Sequence, residues 1–226
     1  MLAAFDNAGL TPWVWLAPLL CFWVGAIPFG YLIGRGRGVD LRQQGSGNIG
    51  ATNAFRVLGP VWGTLVFGFD FAKGFLPIWW LGHLEPFHQA WTGLGSSDAG
   101  LLLCALLIVL GHNYTPFLGF RGGKGIASSA GLLLALMPVA FGLTAAVWGL
   151  VFGITRIVSV ASLAASAILP VWAWMTAPDR PLLIGLCVLL AIVSFWRHRS
   201  NLARLLDGTE PSFRKKRTAT SGGEAS

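Results

Sequence analysis

Charge is scarce in this sequence. Asp, Glu, Lys and Arg make up 11% of its 226 residues, against about 25% in soluble domains, while 54% of the residues are hydrophobic. That balance excludes an ordinary water-soluble domain and points to an integral membrane protein, of a length that suits one helical bundle. Acidic residues number only nine. With Asp40, Asp70, Asp207 and Glu210 dispersed along the chain, the carboxylate-rich metal site of a lipid head-group phosphotransferase is not in sight. The three cysteines, Cys21, Cys104 and Cys187, sit singly inside apolar runs. They read as small buried apolar residues rather than as disulfides or metal ligands. No basic n-region precedes the first apolar stretch, so that stretch is expected to stay as an anchor.

Several catalytic signatures are missing as well. The loop around Lys124 is not a Walker A motif, which needs four residues between its first glycine and Gly-Lys, then Ser or Thr. Gly119 leaves only three before Gly123-Lys124, and Gly125 follows the lysine. ATP hydrolysis is therefore disfavoured. No Ser-His-Asp elbow occurs. Five positions after the histidines stand His88, Gly93, Phe117 and Ala203, which excludes the H-x-x-x-x-D signature of soluble-faced acyltransferases. No internal repeat is visible, and this weighs against a transporter for a phosphorylated solute built on inverted halves.

What the chain does have is a series of long apolar stretches with basic residues at alternate ends. A membrane-spanning helix needs about 20 apolar residues. Residues 12–33, 61–81, 101–118, 157–175 and 182–196 read as crossings. Residues 126–154 are broken at Met137-Pro138, because proline costs a helix interior roughly 3 kcal/mol. They read as two helices, 126–137 and 138–154, for about seven in all. Of the 16 Lys and Arg, all but Lys73 and Arg180 then fall on one side. The positive-inside rule makes that side cytoplasmic and the N-terminus external. Trp13, Trp15, Trp79, Trp80, Trp172 and Trp174 collect near the opposite boundary, where an aromatic belt is expected. Residues 1–213 read as one polytopic domain. Residues 214–226 are basic and then Ser/Gly-rich, and read as a disordered cytoplasmic tail touching anionic lipid.

Three polar clusters share the basic side. The first runs Gly45-Ser46-Gly47-Asn48-Ile49-Gly50-Ala51-Thr52-Asn53 and on to Arg56, a glycine-dense run that opens a helix. Backbone N–H groups at such a start make an anion cradle. Its formal match to G-x-G-x-x-G is weak, since both flanks read as membrane helices rather than as a βαβ unit. A plain glycine-rich loop is the competing reading. The second cluster is Gly111-His112-Asn113 with Arg121-Gly122-Gly123-Lys124-Gly125, a loop that offers Lys124 to an anion. His112 and Asn113 read equally well as the capped end of a membrane helix. In the third, His198 and Asn201 share a helical face with Arg204, and Glu210 lies past Gly208. His198 reads as a general base, a donor or a satisfied helix-end histidine. Arg199 reads as positive-inside anchoring.

Taken with Phe69-Asp70-Phe71-Ala72-Lys73-Gly74 and Arg156-Ile157-Val158-Ser159, these clusters make the chain resemble the bacterial acyl-phosphate:glycerol-3-phosphate acyltransferases, the PlsY family. The motifs run in family order over nearly the whole chain. The resemblance implies a seven-helix enzyme of the bacterial cytoplasmic (inner) membrane with its site facing the cytoplasm. It implies acyl transfer from acyl phosphate to the 1-hydroxyl of sn-glycerol 3-phosphate, giving lysophosphatidate and inorganic phosphate at an early step of phospholipid synthesis. It calls for no cofactor and no metal. The implied partners are the two substrates, membrane lipid and an enzyme that makes acyl phosphate, with no nucleic acid. On the same ground Ser46, Lys124, His198 and Asn201 are expected to be catalytic. Gly45, Gly47, Asn48, Gly50, Thr52, Asn53, Arg56, His112, Asn113, Gly123, Ser159 and Glu210 are expected to bind substrate. Within that set Ser46, Asn48, Thr52, Asn53 and Arg56 would take the phosphate of acyl phosphate. Lys124, His198 and Asn201 would orient glycerol 3-phosphate, with Ser159 nearby.

Overall fold

The computed structural model describes residues 13–93 and 96–213, so the tail expected over residues 214–226 lies outside the described residues. Among the described residues the regular structure is wholly helical. A helix at Trp13–Ala26 (α1) is followed after two residues by Phe29–Gly36 (α2), where the sequence reading had one continuous span. Pro28 is the cause: it has no N–H to continue the ladder, and its ring crowds the preceding turn. Carbonyls freed at a break inside a membrane must find partners within the protein. Thr115 Oγ1 donates to Ala26 O at 2.7 Å, and Lys73 Nζ donates to Ile27 O at 2.8 Å. Residues Trp15–Gly36 together still suffice for a single crossing.

The chain continues through a short surface helix Ala51–Leu58 (α3), a long Pro60–Gly82 (α4), Glu85–Gly93 (α5) and Ser97–Asn113 (α6). After a 3-10 turn at Pro116–Leu118 come Ile126–Leu136 (α7), Pro138–Thr155 (α8), Val158–Thr176 (α9), Pro181–Arg197 (α10) and Arg199–Leu206 (α11). Each of the seven apolar stretches is thus helical, and the interruption at Met137-Pro138 falls where proline predicts it. Among the described residues, five segments are long and apolar enough to cross a membrane, and α10 with α11, bent by 56°, would make a sixth. The eleven residues of α7 reach about 16 Å at 1.5 Å per residue, roughly half of a hydrocarbon core.

The bundle is held by close helix pairs. Helix α4 lies against α7, where Gly74 meets the carbonyl of Ser128 and Gly131 meets that of Phe71; a Cβ at either glycine would collide with backbone. Small residues that let helix backbones touch are the usual device where lipid removes the hydrophobic drive to associate. Helix α1 packs on α6, and α9 lies between α8 and α10. Cys21, Cys104 and Cys187 are free and buried. The two cations that broke the charge pattern are both paired. Lys73 bonds Asp70 at 2.7 Å, with side chains only 2% and 3% exposed. Arg180 bonds Asp98 at 2.8 Å, tying the loop before α10 to the start of α6.

Candidate active site

The glycine-dense run folds into a tight loop ahead of α3. Gly45 and Gly47 have φ of +60° and +70°, in the left-handed region that L side chains adopt only with strain. One amide knits the loop. Asn53 Oδ1 accepts the Ser46 N–H at 2.9 Å, and its Nδ2 donates to the carbonyls of Leu41 at 3.1 Å and Gln44 at 3.0 Å. Asn48 Oδ1 accepts the Gly50 N–H at 2.8 Å. Arg56 lies one turn beyond Asn53, where it donates to Pro211 O at 3.1 Å and covers the ring of Phe213.

The second cluster is clamped from two sides. The N–H groups of Gly122 and Gly123 donate to the carbonyls of Asn113 and His112 at 3.1 and 3.0 Å. Arg197 holds the other edge, its Nε and Nη2 donating to Gly123 O and its Nη2 also to Gly122 O at 2.9 Å. Gly123 rests against the imidazole of His112, where any Cβ would collide. On the far side of that ring, His112 Nδ1 stands 3.6 Å from Asp70. Lys124, next in the chain, is delivered to the third cluster, where its ammonium donates to Asn201 Oδ1.

From Asn201 the network runs to Glu210. Asn201 Nδ2 and Ser159 Oγ donate to Glu210 Oε1 at 2.6 and 2.7 Å, and Arg204 Nε donates to Oε2 at 2.7 Å. Burial alone would raise the Glu210 carboxyl, but these three hydrogen bonds outweigh it and hold the group below its usual range. Burial pushes the Lys124 ammonium down to about 8; Arg204, Arg56 and Arg197 push the same way, while Glu210 opposes. His198 Nδ1 donates to Ser194 O at 2.8 Å, which fixes a proton on that nitrogen and leaves Nε2 as the ring's other polar atom.

A cavity of about 440 Å³ joins the three clusters. At its polar mouth stand Ser46, Asn48, Gly50, Thr52, Asn53, Arg56, His112, Lys124, Ser159, His198, Asn201 and Glu210. Of the expected site residues, Gly45, Gly47, Asn113 and Gly123 lie behind the wall. Gly45 and Gly47 shape the loop, and Asn113 and Gly123 seat the lysine loop. Arg199 points elsewhere, donating to Trp196 O and lying over that ring. Two features were missed at the level of sequence: the clamp of Arg197 on Gly122 and Gly123, and the meeting of Asp70 with His112. The i, i+3 spacing of Asp70 and Lys73, which puts both on one helix face, was the sequence signal nearest to the second. Away from the mouth the cavity becomes an apolar slot among Phe71, Phe141, Trp148, Leu133, Leu169 and Leu190. Such a site can hold anions at one end and hydrocarbon at the other.

Residues 15–208 match the family model described as glycerol-3-phosphate acyltransferase. Among curated proteins, the glycerol-3-phosphate acyltransferase of Trichlorobacter lovleyi is 41% identical, with 85% of this chain and 97% of that protein aligned. That of Gloeobacter violaceus is 43% identical over 88% and 93%. Two crystal structures of PlsY, an integral membrane glycerol 3-phosphate acyltransferase, superpose with TM-scores of 0.80 and 0.77 at 35% and 34% identity. Each covers 89% of this chain, and the match takes in 96% and 95% of the respective PlsY chains. The first is the glycerol 3-phosphate form and the second the lysophosphatidic acid form.

Proposed function

The chain belongs to the glycerol-3-phosphate acyltransferase family, and we propose on that premise that it acylates the 1-hydroxyl of sn-glycerol 3-phosphate with acyl phosphate as donor. The products are lysophosphatidate and inorganic phosphate. The observation that carries this reading is one continuous cavity with cationic, hydroxyl and amide groups at its mouth and an apolar slot beyond. An acyl phosphate needs both parts, and glycerol 3-phosphate needs only the first.

The residues divide the work accordingly. The cradle of Ser46, Asn48, Thr52 and Arg56 takes the phosphate of the donor, whose acyl chain lies in the slot. Lys124, His198 and Asn201 hold glycerol 3-phosphate with its 1-hydroxyl toward the donor carbonyl. The new ester C–O bond forms as the bond between the acyl carbon and the phosphate oxygen breaks. The hydroxyl proton leaves with the departing phosphate. Because the donor is already activated, positioning and charge stabilisation suffice and no strong base is required. Asn53 and Glu210 act on the walls: one holds the cradle, the other orients Asn201 and Ser159.

The test is purified protein in detergent with acyl phosphate and glycerol 3-phosphate. Release of phosphate with equimolar lysophosphatidate is expected. Turnover without a membrane barrier would exclude pure transport, and use of acyl-CoA in place of acyl phosphate would overturn the donor assignment. In this reading Lys124 must be protonated to hold a phosphate. Its free-enzyme value of about 8 appears in kcat/KM rather than in kcat. We therefore expect kcat/KM for glycerol 3-phosphate to fall as pH rises through about 8, and a rate profile flat to pH 10 would contradict it.

In the cell the site faces the cytoplasm of the inner membrane, where phosphorylated substrates and an acyl-phosphate-producing enzyme are at hand. Asp179 and Asp207 are exposed at opposite ends of the bundle, and the native cysteines are buried, so background labelling is low. In intact cells an impermeant thiol reagent should label Asp179→Cys and spare Asp207→Cys. The reverse pattern would invert the orientation.

A further inference from the structure

The deep end of the slot is a floor built from one leucine on each of three helices. On α9 the cavity-lining residues are Val158, Ser159, Ser162, Ala165, Ser166 and Leu169, a single face at helical spacing. On α10 they are Ser194, Val193 and Leu190, with His198 just past its end, and on α7 they run from Ile126 to Leu133. At 1.5 Å per residue, Leu169, Leu190 and Leu133 all stand roughly 10 to 16 Å below the mouth. One turn further on the same faces come Ala173, Leu186 and Met137, which do not line the cavity. All six residues belong to one buried hydrophobic cluster. The outer half of the bundle beneath the slot is therefore solid.

We propose that Leu133, Leu169 and Leu190 form the stop against which the end of the donor's acyl chain rests, so that they set its preferred length. This rests on the acyl-phosphate reading above, and it adds a specificity determinant to it. A chain too short leaves the floor uncovered. One too long must bend, or withdraw its carbonyl from the mouth. The packing beneath gives no room to yield, because a core at crystal-like density does not accommodate an extra methylene freely. The other course for the chain is sideways, between α4 and α8. There Phe71 and Phe141 stand edge to face with centroids 6.2 Å apart and narrow that side, while Phe67 and Ala145 line the cavity and also reach the outer surface of the bundle.

Two substitutions on one helix face should move the preference in opposite directions. Leu169→Ala lowers the floor, and Ala165→Leu fills the slot a turn above it without emptying the core. The measurement is kcat/KM over a homologous series of saturated acyl phosphates, with KM for glycerol 3-phosphate followed alongside. Leu169→Ala should raise the ratio of long- to short-chain kcat/KM by roughly tenfold. Ala165→Leu should lower it by a similar factor, the scale on which a hydrophobic pocket distinguishes single methylenes. KM for glycerol 3-phosphate should stay unchanged in both. If Leu169→Ala proves unstable, Ala165→Leu alone decides, since it removes no packing. If folded variants keep the wild-type length profile, the floor does not measure the chain and the stop is overturned. A wild-type protein that turns over no acyl phosphate of any length would instead overturn the donor assignment, and this inference with it.

Discussion

Replacing Lys124 with alanine is expected to lower kcat/KM roughly ten- to a hundredfold while leaving the bundle folded. A charge-assisted hydrogen bond contributes about 1.5–3 kcal/mol, and each 1.36 kcal/mol is about tenfold in rate. The discriminating variant is Lys124→Arg. If Lys124 only keeps its loop on the basic side of the membrane, arginine should serve as well, because the positive-inside rule counts both alike. The geometry argues otherwise. The ammonium sits half-buried against Asn201 Oδ1, with Gly123 pinned between the His112 ring and the Arg197 clamp. A compact point charge fits there, and a planar fork with a different reach does not. Lys124→Arg should therefore lose much of its activity, and should also lose the fall in kcat/KM near pH 8. Arg199→Ala should behave as wild type, since that guanidinium lies over Trp196 away from the cavity. Steady-state assays with each substrate varied in turn decide the matter. An active Lys124→Arg beside a dead Arg199→Ala would move the anion site to another cluster.

The parts of this architecture that could be read from the sequence are those in which a local pattern has one physical meaning. Proline disfavours a helix interior, and the break before α8 followed from Pro138, although Pro18, Pro77 and Pro170 sit inside α1, α4 and α9 without ending them. The same rule at Pro28 was overlooked, because residues on both sides are apolar and the length suited one crossing. Only the partners of the freed carbonyls, Thr115 and Lys73, show how the break is tolerated. Helix α5 is short and mixed in character, and nothing in its composition marked it off from a loop. At the site, basic residues at alternate helix ends brought three distant clusters to one face before any contact was known. Their internal order was beyond reach of that argument. Asp70 meets His112 across two helices, and Arg197 reaches back to Gly122 and Gly123. Such pairings depend on the rotation of each helix about its axis, which hydropathy along an all-apolar span does not determine. Glu210 stood out in the sequence and lines the cavity, but nothing there marked it as the carboxylate to which Asn201, Ser159 and Arg204 all donate.

The cradle gives the other large effect, and it turns on Asn53 rather than on the glycines of the loop. Gly45 and Gly47 permit the loop's shape, but the Asn53 amide holds it, with one acceptor contact to Ser46 N and two donor contacts to Leu41 O and Gln44 O. Asn53 is 1% exposed, so its bonds are made largely out of water, and water entering from the cavity mouth on truncation replaces them only in part. Leaving buried polar groups unpaired costs about 1–3 kcal/mol each. Asn53→Ala therefore loses on the order of 3 kcal/mol or more locally, sufficient to release the loop and roughly a hundredfold in kcat/KM. The membrane helices do not depend on these bonds, and the variant should purify as a folded protein with near-native helical content. Asn53→Asp separates shape from charge. Its carboxylate can still accept from Ser46 N, but it presents oxygen to the Leu41 and Gln44 carbonyls and adds a negative charge beneath a phosphate. It should be at least as impaired as the alanine variant. Gly45→Ala should resemble both, because the added methyl would strike the Asn53 amide at a backbone already at positive φ. Activity, KM for acyl phosphate and circular dichroism on the three variants form the test. A folded Asn53→Ala with near-normal activity would mean that the loop's shape is irrelevant to the phosphate and that the anion is held by Arg56 and Lys124 alone.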